Sequence, residues 1–142
     1  MNGKLGIIVV IIAIAGGWYL LSGNTAKAPA SETTAATSGV TVTYTDQGYS
    51  PASVTIPLGA TVTFVNQSTK SMWVASAMHP AHSVYSGTTL AQHCPDTTNS
   101  SFDQCVGSGA GTSFSFTFNK EGTWKYHDHI DATKFGTVVV TP

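Results

Sequence analysis

The sequence predicts an all-β sandwich behind an apolar N-terminal segment, and three features predict it. Short runs alternate apolar and polar residues with a period of two, the pattern of half-buried strands. Turn signals separate these runs, among them Pro57-Leu58-Gly59 and Lys120-Glu121-Gly122. No helical periodicity longer than two turns follows the N-terminal segment.

The chain of 142 residues divides into an anchor over residues 1–22, a linker over 23–39 and one domain over 40–142. Leu5 to Leu21 is a run of 17 residues without a charge. At ~1.5 Å per residue it reaches about 26 Å, close to the ~30 Å hydrocarbon core. Trp18 and Tyr19 close the run where amphipathic rings settle at headgroups, and Lys4 precedes it. The segment is therefore expected to be a single-pass transmembrane helix in the cell membrane, with the C-terminal domain on the extracytoplasmic side. A cleaved signal peptide ending near Ala26-Lys27-Ala28 is the alternative. The Ser/Thr/Ala/Pro tract that follows cannot bury enough surface to offset its ordering entropy and reads as a flexible spacer.

Val40, Val42 and Tyr44 begin the strands, followed by Val54 and Ile56, then by Val62 and Phe64 up to Asn66. Phe114, Phe116 and Phe118 share one face of a later strand, TWKYHDH forms the penultimate one, and TVVVT closes the chain. Ser68 to Ser113 breaks the alternation. Long irregular stretches in compact domains are usually functional or disordered, and the cysteine pair and aromatic residues of this one argue against disorder. Charged residues make up 9% of the chain, the net charge is −1 and there is no arginine. Nucleic-acid binding, which needs a basic face, is excluded as a function class.

Export permits a disulfide between Cys94 and Cys105, the two cysteines present. It would stabilise by about 3 kcal/mol on the chain-entropy argument. A copper thiolate at Cys94 is the competing reading. The five histidines fall in two places. His127 and His129, two apart on a strand, project from the same face, while Trp124 and Tyr126 face the core. In HPAH, a turn after Pro80 would bring His79 beside His82. Two such pairs can supply a site of three or four imidazole nitrogens for copper, zinc or nickel. His93 stands apart. The four candidate ligands are expected at the open end of the sandwich, outside its core.

These residues resemble the cupredoxin superfamily over about residues 40–142. VTIPLGATVTFVNQS looks like the early segment in which a strand ending in Asn precedes the first copper ligand. GTWKYHDH and FGTVVV look like the last two strands. The resemblance implies a cupredoxin-like Greek-key β-sandwich and copper as cofactor. It does not carry over the blue-copper ligands: Met72, Asp128, Asp131 and Lys134 stand where the first histidine, the cysteine, the second histidine and the methionine belong. GTWKYHDH is also similar to the H-x-H motif of multicopper oxidase domains. HPAH, Phe102-Asp103 and YHDH together resemble a group of small exported single-domain cupredoxin-like proteins.

The expected function is copper binding at the membrane's outer face through His79, His82, His127 and His129. Buffering, delivery or redox exchange with a protein partner would follow. A copper-dependent oxidoreductase, working through one all-histidine copper with an open position or through a cluster pooled at an oligomer interface, and a metal-free structural module are the rival readings. No paired catalytic carboxylates or activated nucleophile mark an enzyme.

Overall fold

The alternating runs become strands because each can bury one face. A computed structural model describes residues 39–142; the anchor expected over 1–22 and all of the linker except Gly39 lie outside the described residues. Among the described residues eight strands form: β1 (Val40–Thr45), β2 (Gly48–Ser50), β3 (Ser53–Pro57), β4 (Thr61–Asn66), β5 (Val74–Ser76), β6 (Ser113–Thr117), β7 (Gly122–Asp128) and β8 (Phe135–Thr141). One short helix, α1 (Leu90–His93), lies between β5 and β6. Among the described residues no helix is long and apolar enough to cross a membrane.

The strands make two four-stranded sheets, in the orders β2-β1-β4-β6 and β3-β8-β7-β5. Each contains one parallel pair, β1 with β4 and β3 with β8. Parallel neighbours need a crossover, and here the chain crosses between sheets to make it. The period-two residues meet in the middle. Val42, Ile56, Val62, Phe64, Phe116, Tyr126 and Val138 are all buried between the sheets. Phe118, just beyond β6, joins them.

The irregular stretch is built into this frame rather than draped over it. It contributes β5, whose residues Val74, Ala75 and Ser76 pair with Asp128, His127 and Tyr126 of β7. Met72, a residue aligned with a ligand by resemblance, is core: it is fully buried and exchanges backbone hydrogen bonds with Ser108. Phe102 enters the core against Phe116 and Phe118, with ring centroids 5.0 and 4.7 Å apart. The Cys94–Cys105 disulfide forms, with Cα atoms 5.5 Å apart. No thiolate is therefore left for a metal in this state.

Gly136 shows how closely β7 and β8 approach. A Cβ there would fall on the Tyr126 hydroxyl and lie 2.7 Å from the Ala52 carbonyl oxygen. Tyr126 is buried and cannot swing away. Gly136→Ala should thus destabilise the metal-free fold by about 1–3 kcal/mol, the usual cost of overpacking. Gly109→Ala, where the added carbon meets nothing within 4 Å, is the matched control. Urea unfolding of both variants checks this, and equal midpoints would contradict it.

Candidate metal centre

The pairing of β5 with β7 decides where the histidines go. His127 sits opposite Ala75 on β7, and the His129 backbone N–H, just past the strand, donates to the Trp73 carbonyl at 2.8 Å. Between them Asp128 points inward. Its Oδ2 accepts from the Tyr44 hydroxyl at 2.6 Å, and its Oδ1 accepts from the backbone N–H groups of Trp73 and Ile130. These bonds fix the strand's alternation, so His127 and His129 must face the other way. Burial and the neighbouring Asp128 carboxylate raise the Tyr44 pKa, which keeps the phenol a donor.

The chain leaves β5 and turns back at once over β7. The His82 backbone N–H closes the HPAH turn on the Met78 carbonyl at 2.7 Å, and Val84 N–H reaches back to Ala77 at 2.8 Å. His82 takes a left-handed conformation, φ 57°, that histidine tolerates better than most side chains. The two pairs then converge. Ring centroids lie 5.3 Å apart for His79–His127, 5.0 Å for His79–His129, 5.0 Å for His82–His127 and 4.7 Å for His82–His129. One ring nitrogen from each of the four lies within 4.8 Å of the others.

The cluster is more deeply placed than the sequence suggested. His79 is exposed and His129 half-buried, but His127 and His82 are buried, at 5% and 0% exposure. The insertion covers the outer face of β7, so a residue pointing away from the core still loses its water.

Asp103 is the functional residue that composition and spacing did not single out; it entered only through the Phe102-Asp103 resemblance. Its buried carboxylate accepts four hydrogen bonds. Oδ2 takes His82 Nδ1–H at 2.5 Å and His93 Nε2–H at 3.1 Å; Oδ1 takes Trp73 Nε1–H and the Cys105 backbone N–H, both at 2.8 Å. Burial opposes ionisation of Asp103, but hydrogen bonds, that from His82 first, outweigh it and hold its pKa down to about 2. His93, set apart by sequence, is thus linked to the cluster through a shared carboxylate.

This arrangement fits a metal ion. With its proton on Nδ1 for Asp103, His82 presents the lone pair of Nε2 to the cluster, 2.9 Å from His129 Nδ1. Ligand nitrogens at ~2.0–2.1 Å from one ion stand about 3 Å apart when adjacent. His127 Nε2 is buried without any hydrogen-bond partner. A buried nitrogen left unpaired is costly unless something else takes its lone pair. A carboxylate behind a ligating imidazole is the usual outer support of such sites. The carboxylates aligned with ligands by resemblance serve other ends: Asp128 as above, and Asp131 in a local turn with Thr133.

Burial, and then the neighbouring imidazoles, lower the His127 pKa to about 4 from the ordinary 6.5, and His129 shifts the same way. Between those values the unfolded chain takes up a proton that the folded chain refuses. Metal-free protein should therefore lose stability as pH falls from 6.5 towards 4, and the loss should level off below that. Thermal midpoints across this range test the point; a His127→Gln variant with an unchanged pH slope would count against it.

A cupredoxin-like domain model matches residues 10–140. Solved structures of similar fold include a purple cupredoxin from Nitrosopumilus maritimus, 20% identical with a TM-score of 0.50, covering 72% of this chain and 99% of that one. A reduced Cu(I) form of an amicyanin variant is 18% identical with a TM-score of 0.53, over 73% of this chain and 83% of that one. A copper-containing nitrite reductase from Thermus scotoductus is 21% identical with a TM-score of 0.54, over 74% of this chain but 23% of that one. A comparison with curated proteins gives no match. Two mixed sheets, the pairing of β7 with β8 and the family match over most of its length place this chain in the cupredoxin-like domain family.

Proposed function

We propose that this chain is an exported, membrane-tethered protein that holds one copper ion through His79, His82, His127 and His129. Its work would be copper buffering, delivery or redox exchange with a protein partner. One observation carries the reading: four imidazoles from two elements converge, and one of their nitrogens, His127 Nε2, is buried with no partner. The copper of the amicyanin and the nitrite reductase of similar fold supports copper over zinc. The apolar run from Leu5 to Leu21 supports the tether.

Each residue's part follows from its surroundings. His82 and His127 are buried and form the fixed wall, with His82 held in one tautomer by Asp103. His79 is exposed and forms the face through which an ion or a partner reaches the centre. Imidazoles without thiolate favour Cu(II) in a tetragonal arrangement. Bound copper supplies one-electron exchange and Lewis acidity. The Trp73 ring, 4.3 Å from that of His129, is close enough to report occupancy by its fluorescence.

A copper-dependent oxidoreductase is the second reading, favoured by a cavity of about 350 Å³ lined by Met78, His79, His127 and Phe135. Such a cavity admits a small molecule beside the cluster. Several coppers at an oligomer interface would favour this reading over buffering; one copper on a monomer would favour the first.

Titration with Cu(II), followed by tryptophan quenching and elemental analysis, should give one equivalent per chain. Its spectrum should lack the intense visible band of copper–thiolate bonding, and such a band would sink the all-imidazole site. His127→Ala and His82→Ala should each weaken binding tenfold or more, and the double variant should lose little beyond the worse single. Wild-type affinity in His127→Ala would overturn the proposal. Asp103→Asn, which keeps the shape but loses the charge, should cost 10- to 100-fold in affinity on the outer-support argument, measured by the same titration.

A further inference from the structure

Asp103 has neighbours on both sides. Away from the four-histidine cluster it meets His93, Cys94 and Cys105, and one donor atom from each of these four residues lies within 4.8 Å of the others. The two sulfurs are bonded to each other, so the set is locked.

We propose that reduction of the Cys94–Cys105 disulfide uncovers a second metal site, in which both thiolates and His93 bind a soft closed-shell cation, Zn(II) or Cu(I), beside the Asp103 carboxylate. The reductant is a dithiol. Its two thiols give up two electrons and two protons and close to a disulfide; the Cys94–Cys105 bond breaks and each sulfur gains a hydrogen. The cation then displaces both thiol protons to solvent without changing its own oxidation state. On binding, His93 gives up its Nε2–H hydrogen bond to Asp103 and shifts its proton to Nδ1, where the Thr88 carbonyl lies 3.1 Å away as an acceptor, so that Nε2 is free for the cation.

Three observations support the site independently of the histidine cluster. The backbone that carries the sulfurs is held by bonds that do not depend on the disulfide: Cys94 N–H donates to Leu90 O at 3.0 Å and Cys105 N–H to Asp103 Oδ1 at 2.8 Å. Both cysteines are half-buried and line a groove of about 510 Å³, shared with Trp73, Pro80 and Leu90, through which a small dithiol and an ion can pass. Two sulfurs, one imidazole and one carboxylate oxygen also make a tetrahedral set that Zn(II) accepts. The histidine cluster, without sulfur, has a different preference.

The test compares oxidised full-length chain with chain reduced by dithiothreitol and freed of it anaerobically, each titrated with Zn(II) and with Co(II) as a coloured stand-in. Reduced protein should bind one equivalent more than oxidised protein, and its Co(II) form should show thiolate-to-cobalt absorption in the near ultraviolet. His93→Ala should weaken the added equivalent tenfold or more, and Cys94→Ser/Cys105→Ser should abolish it, the double serine variant leaving the first equivalent in place. Equal stoichiometry, no thiolate absorption, an indifferent His93→Ala, or loss of the near-ultraviolet circular dichroism on reduction would each overturn the second site. Failure of the four-histidine reading looks different: oxidised protein would then bind no Cu(II).

Discussion

The Asp103 carboxylate is the point at which the irregular half of this domain is tied to its sheets. Sequence-distant groups meet there: Trp73 before β5, His82 in the turn after it, His93 at the end of α1 and the backbone at Cys105. A buried charge costs several kcal/mol unless hydrogen bonds replace its water, and four donors do so here. Once they do, the insertion has few other ways to fold. The disulfide then closes a loop whose ends Asp103 has already brought together.

A second buried carboxylate does the complementary work on the sheet side. Asp128 is anchored by Tyr44 from the opposite sheet and by the Trp73 backbone, which fixes which way β7 alternates. Asp103 orients His82, and Asp128 sets the face on which His127 and His129 project. The two carboxylates are linked through a single residue, since Trp73 donates its indole N–H to Asp103 and its backbone N–H to Asp128. Rigidity at the cluster thus comes from charged groups that never enter it.

The same arrangement explains a tension in the metal-free protein. Burial keeps His127 neutral, and its Nε2 is left without a partner. Such a defect persists where the surrounding structure over-determines it, and preorganised binding sites carry defects of this kind. Any group that takes that lone pair recovers the free energy its desolvation costs.

Much of the frame was legible in the sequence because its signal is local. Period-two alternation gives strands and their inward faces, so Val42, Phe64 and Tyr126 were readable as core before any pairing was known. The H-x-H spacing put His127 and His129 on one face for the same reason, and two cysteines left one pairing. Sheet order, the parallel pairs and β5 were not readable, because they depend on which distant segments compete for the same edge. Nor was the burial of His82, which its own neighbours in sequence do not cause. Asp103 and His93 gained their roles only in three dimensions: hydrogen-bond partners up to 30 residues away leave no periodic trace in the chain. Local alternation determined the strands and the direction of the histidines; the burial of one carboxylate among four distant donors decided that they would meet.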